Sequence, residues 1–222
     1  MHKMFKPILE SHRNLRSLKV SGFGALERGG LAALMHDAPQ LVELELCNVL
    51  HVGLRNPLAE SATWACARHL QSLAFIRCGG LHAGIFAQKL ASGVFGHPQK
   101  VTLAVCGSTS DDRKLPGPVV WTIPALDILE LDHFAMWEME HLQLVHAKKV
   151  FLSRVWGQDP AGTYKMTIQQ IAHRGAFPGA VEVHVTTDWS DEDFRELQRV
   201  CSAKGVGLVM RDWERRLIGS MV

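Results

Sequence analysis

Apolar and polar positions alternate over short stretches of this chain, and the stretches share one template. Residues 41–49, LVELELCNV, put Leu41, Leu44, Leu46 and Val49 on apolar positions, with Glu43 and Glu45 between them. Alternation over a few residues is the pattern of a half-buried strand. The spacing returns as Leu15, Leu18, Val20 and Phe23, as Leu70, Leu73, Phe75 and Cys78, and as Pro98, Val101, Leu103 and Cys106. It returns again as Leu126, Leu129, Leu131 and Phe134. Looser copies are Ala147, Val150, Leu152 and Val155, then Ala180, Val183 and Val185, then Leu208, Met210 and Trp213 counted from Gly205.

The units begin at residues 15, 41, 70, 98, 126, 147, 180 and 205, at intervals of 21 to 33 residues. One such strand cannot cover its apolar side alone. Stacking consecutive units completes a shared core and aligns the strands as a parallel sheet. The expected fold is α/β, a single domain over 1–222: a partial N-terminal helix at 1–14, repeats over 15–204, and a C-terminal strand and cap at 205–222.

Parallel strands need a crossover, and the segments between them carry helical spacing. In 29–39, Leu31, Leu34 and Met35 precede Pro39; in 60–70, Trp64 and Ala67 lie three apart. In 84–96 the apolar positions are Ile85, Phe86, Leu90, Val94 and Phe95, and in 163–177 they are Ile168, Ile171 and Ala172. The clearest helix is 190–205, where Ser190 and Asp193 form a variant capping box and acids load the first turn. Phe194, Leu197, Val200 and Cys201 make its apolar stripe, and Gly205 stops it. Residues 107–124 hold three prolines and no helical stripe, so they read as an extended, irregular return.

Composition narrows the function classes. A formal charge of +2, from 24 basic and 22 acidic residues, gives no reason to expect nucleic acid or an anionic membrane as partner. No apolar run reaches the roughly 18 residues of a membrane span, and the N-terminus lacks the apolar centre of a secretory signal. Lys3, Lys6 and Arg13, interleaved with apolar residues, resemble a mitochondrial presequence, but Glu10 and the scarcity of serine favour a short helix starting near Pro7. Five cysteines without paired spacing read as buried, reduced thiols of an intracellular protein, cytoplasmic or nuclear.

Candidate chemistry is thin. His133, His141 and His146 lie near Asp132, Glu138 and Glu140 in sequence, but they match no metal-binding spacing. There is no nucleophile elbow and no phosphate-binding loop; the glycines of 21–30 serve a turn, and the acids of 187–194 fill a helix N-terminus. Trp156, Trp189 and Trp213 are expected to be buried at unit ends. No cofactor, metal or enzymatic activity is expected.

The stretch 29–49, GGLAALMHDAPQLVELELCNV, resembles the leucine-rich repeats of the cysteine-containing type carried by many F-box proteins, with Cys78 and Cys106 at the closing cysteine position. Cys47 comes two residues early and Val49 takes its place. The resemblance is strong over 15–135 and looser beyond. It implies a solenoid of about eight repeats, a curved parallel sheet with helices on the convex side. It also implies a non-catalytic protein-binding role, often as the substrate-receptor arm of a ubiquitin ligase. The F-box itself has no room in the 14 residues before the first strand. The alternative is a structural or assembly subunit of a larger complex, with a neighbouring subunit or a further N-terminal module docked on the open N-terminal end.

The residues between the apolar strand positions are expected to line the concave face. The protein-binding candidates there are Lys19, Glu43, Glu45, Ala74, Ile76, Lys100, Thr102, Glu130, Asp132, Lys149, Phe151 and His184. Ala74, Ile76 and Ala104 form an apolar centre rimmed by charge, as protein interfaces have. The face lacks the continuous basic track of a nucleic-acid groove.

Overall fold

The computed structural model describes residues 11–22, 36–49, 66–79, 81, 83–104, 106, 120–134, 145–155, 160–186 and 189–211. Eight strands form one open parallel sheet in chain order. They are β1 (Ser17–Ser21), β2 (Glu43–Cys47), β3 (Ser72–Ile76), β4 (Lys100–Ala104), β5 (Leu126–Phe134), β6 (Ala147–Val155), β7 (Glu182–Thr186) and β8 (Gly207–Arg211). Among the described residues three α-helices intervene: α1 (Ala83–Ala91), α2 (Pro160–Gln169) and α3 (Asp191–Ala203).

The sheet adopts the register of the sequence repeat. The fourth residue of each unit stands opposite the fourth of the next, from Leu18 and Leu44 through Leu73, Val101, Leu129, Val150 and Val183 to Leu208. One side of the sheet is therefore continuously apolar, and the helices pack on it to close a single core. Phe75 from β3 meets Phe86 of α1 edge-on at 5.6 Å, and Phe86 stacks on Phe95 at 5.5 Å. Such aromatic contacts each add about 1 kcal/mol beyond their buried area.

The backbone repeats as faithfully as the side chains. At strand entry one carbonyl accepts two N–H groups from the following unit: Arg16 from Val42 and Glu43, Val42 from Gln71 and Ser72, and Gln71 from Gln99 and Lys100. At strand exit Gly22, Asn48 and Arg77 all take left-handed backbone, at φ of 78°, 53° and 52°. Each of the three then donates its N–H to the next strand's last residue, Cys47, Ile76 or Ala104. A side chain at positive φ is unusual, so the bond to the neighbouring strand is the compensation for Asn48 and Arg77.

The helix of 190–205 forms as expected. Ser190 caps it, its hydroxyl accepting from the Asp193 N–H at 3.1 Å, with three acids in the first turn. Leu197, Val200 and Cys201 are buried, and Phe194 packs against the core edge. The helix expected over 163–177 starts at Pro160 and ends differently: α2 widens into a π-helical turn over Gln170–Arg174, closed by left-handed Gly175. The helix of 84–96 occupies Ala83–Ala91, then turns, and Phe95 stays buried.

Of the irregular return at 107–124, the described residues 120–124 are non-helical. They are tied down by Thr122, whose N–H and hydroxyl both donate to the Ala91 carbonyl at 2.9 and 2.7 Å. The helical expectations for 29–39 and 60–70 fall mostly outside the described residues, as do the N-terminal piece before residue 11 and the cap after 211. Trp189 is buried as expected, whereas Trp156 and Trp213 lie outside the described residues. No helix among the described residues is long and apolar enough to cross a membrane.

Candidate functional site

Alternation along each strand sends the second set of side chains to the opposite, open face, where three in-register rows run across the sheet. The first row runs Ser17, Glu43, Ser72, Lys100, Ile128, Lys149, Glu182, Gly207. The second holds Lys19, Glu45, Ala74, Thr102, Glu130, Phe151, His184 and Val209. The third includes Cys47, Ile76, Ala104 and Asp132 toward one end and Thr186 with Arg211 at the other.

Charges on this face pair across strands. Lys19 meets Glu45 at 2.7 Å, Lys100 meets Glu130 at 3.0 Å, and Lys149 meets Glu182 at 3.1 Å. Hydroxyls join them: Ser17 donates to Glu43 at 3.2 Å and Thr102 to Glu130 at 2.8 Å. Burial alone would raise the Glu45 carboxyl, but bonds from Lys19 and the Cys47 thiol, with the lysine charge, hold it below its ordinary value. The lysine in turn is raised by its bond to Glu45. Burial and the Glu45 carboxylate push the Cys47 thiol up to about 12, so it stays protonated. Solvent-exposed pairs of this kind contribute little to stability, because water and salt screen them. Their consequence is a face with its charge already balanced.

The most structured part of the face lies at β6–β8. His184 stacks on Phe151, ring centroids 4.3 Å apart and planes 8° from parallel, and the Arg211 guanidinium sits 5.0 Å from the Phe151 ring centre. The Nε–H of Arg211 donates to Nδ1 of His184 at 3.0 Å, so Nδ1 carries no proton; Nε2–H then donates to Glu182 at 2.9 Å. Burial, opposed by Glu182 and assisted by the Arg211 charge, holds the imidazole below its ordinary pKa. The His184–Glu182 contact is thus a hydrogen bond from a neutral ring, not an ion pair. Glu182 itself is lowered by its bonds to Lys149 and His184.

The structure places all twelve candidates on the open face but corrects the expectation that all are exposed. Phe151 is 6%, Asp132 8% and His184 3% exposed, because cross-strand neighbours cover them. Asp132 accepts the Ser153 hydroxyl at 2.7 Å. Ala74 and Ile76 remain half-exposed at the apolar centre, while Ala104 is buried. Arg211, Ser153 and Thr186 share the Phe151–His184 corner, although the sequence gives only their strand positions and nothing that gathers them. Among the described residues no three His, Cys, Asp or Glu side chains cluster to hold a metal.

Comparison with protein-family models, curated proteins and solved structures found no match.

Proposed function

We propose that the chain is a non-enzymatic leucine-rich-repeat solenoid that binds protein partners on the concave face of its sheet. The supporting observation is the register: eight strands in chain order present one uninterrupted face of paired charges around Ala74 and Ile76. A charge-balanced face with an apolar centre suits a protein surface better than a polyanion. The resemblance to F-box repeat proteins points to the substrate-recognition region of a ubiquitin-ligase receptor. Five free, buried thiols suit a reducing intracellular compartment.

A second reading, an assembly subunit of a larger complex, is favoured by the ends of the sheet. Core-side Leu18 of β1 and Leu208 of β8 are only partly buried, and Met210 is 45% exposed. These are surfaces that a neighbour would cover.

Quantitative affinity capture of the tagged chain from its native cells tests both readings. Varied partners at low stoichiometry with ligase components support the receptor; a fixed equimolar set supports the subunit. Ile76→Asp should keep the fold and lose concave-face partners, whereas Leu44→Asp puts an unpaired charge in the core and should unfold the chain. Equal loss of structure in both variants by circular dichroism would overturn the assignment of faces.

A further inference from the structure

We propose that Arg211, with Thr186 beside it, forms a carboxylate-binding corner on the open face that takes a single Asp or Glu side chain of a protein partner. The inference rests on the protein-binding reading above and names the chemistry of that partner.

The first argument is charge. Lys19, Lys100 and Lys149 each have a carboxylate within 2.7–3.1 Å. Arg211 does not. Among the described residues of the face it is the cation whose partners are neutral, the His184 ring and the Phe151 ring face. The guanidinium is anchored through Nε, and among the described residues its two Nη groups have no acceptor. That leaves free the edge with which arginine grips a carboxylate in two parallel bonds.

The second argument is a missing bond. Thr186 stands opposite Arg211 in the sheet, is 3% exposed, and its hydroxyl has no hydrogen-bond partner. Buried polar atoms without partners are rare and destabilising. Thr186, Arg211, Phe151, Ser153 and His184 line one shallow depression, which leaves no room for a water. A small shift of the Arg211 guanidinium would open the depression to an acceptor, and a carboxylate, with two oxygens, would serve both the Nη groups and this hydroxyl.

The third argument selects the ligand. Glu182, on Lys149 and His184, and Asp132, on Ser153, flank the corner with negative charge. That charge opposes any anion, but it opposes a doubly charged phosphate about twice as strongly as a single carboxylate, which one arginine matches.

The test is an NMR titration of the isotope-labelled full chain, following the Nε–H signal of Arg211, assigned by its loss in Arg211→Lys. The probes are acetyl-Gly-Glu-Gly-amide, its Gln counterpart, and inorganic phosphate. A saturable shift with the Glu peptide is expected, with Kd of order 1–10 mM for one charge-assisted pair. Binding at least about tenfold weaker is expected for the Gln peptide and for phosphate. Backbone shifts around β7–β8 should weaken about tenfold in Arg211→Gln and about threefold in Thr186→Val, with melting temperatures checked to show both fold.

No shift with the Glu peptide, an equal response to the Gln peptide or phosphate, or undiminished binding in either variant would overturn the proposal. Partner capture separates the two levels. If capture depends on Ile76 while the Glu peptide leaves Arg211 unmoved, only the carboxylate corner falls. If the peptide binds while capture survives Ile76→Asp, the broader reading falls.

Discussion

The Cys78 thiol donates to the main-chain carbonyl of Leu46, one unit back, at 3.2 Å. The following unit copies the bond: Cys106 donates to Phe75, at the same template position as Leu46, at 3.3 Å. Each closing cysteine therefore ties its own unit to the strand before it, and it does so only while protonated. A compact apolar group with one weak donor is what this position asks for, which accounts for Val49 packing there without the bond.

Retention of thiol protons gives an alkaline limit to stability. Burial raises Cys66 and Cys201 to about 11, and burial with Glu45 raises Cys47 to about 12, from an ordinary value of 9.0. Above pH 9 the unfolded chain loses protons that the folded chain keeps, so stability falls with rising pH through these folded values. Urea denaturation in reductant should show the midpoint dropping from pH 9 to 11, and less steeply in Cys201→Ala. An unchanged slope in that variant would assign the effect elsewhere.

Acid works on the opposite side. Burial holds His184 below the ordinary 6.5, and His146, stacked on Trp121 at 5.0 Å, is lowered by burial too. The unfolded chain gains a proton near 6.5 that folded His184 refuses; stability is thus full above that pH and declines as pH falls toward the folded value. Protonated Nδ1 would face the Nε–H of Arg211, donor against donor. His184→Gln keeps an acceptor for Arg211 and a donor for Glu182 without titrating. Its melting temperature should change less than the parent's between pH 7.5 and 5.5.

Two glycines with the same left-handed backbone separate strain from steric exclusion. At Gly96, φ +76°, an added Cβ would meet the Ala67 carbonyl oxygen at 1.9 Å; at Gly205, φ +69°, it would meet nothing within 4 Å. Gly205→Ala should cost about 1 kcal/mol, the left-handed penalty alone. Gly96→Ala must also move backbone, so it should cost several times as much, about 3 kcal/mol or more. Chemical denaturation of the pair decides it, and equal losses would refute the close approach.

Gln170, the first residue of the π-helical turn, is 2% exposed, and neither its side-chain oxygen nor its nitrogen has a partner. Exchanging it for an apolar side chain of similar length removes an uncompensated desolvation cost. Gln170→Met should hold or raise stability by about 1 kcal/mol. A loss of that size in the urea midpoint would show that the amide is satisfied in solution.

The strands were legible because their signal is local and repeated. Leu44, Leu73, Val101 and Leu129 fall on one template position, and the sheet pairs them. The cap at Ser190 was equally plain, since a hydroxyl three residues before an acid satisfies a helix start by itself. The π-helical turn was not legible: Ile168 and Ile171, three residues apart, fit an ordinary helix as well. Nor was the burial of Phe151 and His184. Spacing assigns them to the open face, but their cover comes from Arg211, 27 positions beyond His184, and from a tautomer that only three-dimensional placement selects.

The strictly sequential strand order has a consequence for how such a chain changes length. Each strand pairs only with the strands before and after it in the chain, so a unit is joined to the whole through two similar seams. A segment such as 70–97 is therefore an exchangeable part. Its duplication in tandem would widen the sheet by one strand, about 4.8 Å, and leave every other pairing as it was. Ancestral lengthening or shortening of the array would move the Arg211 corner toward or away from the apolar centre in steps of that size, a discrete ruler for the distance between two contacts on one partner.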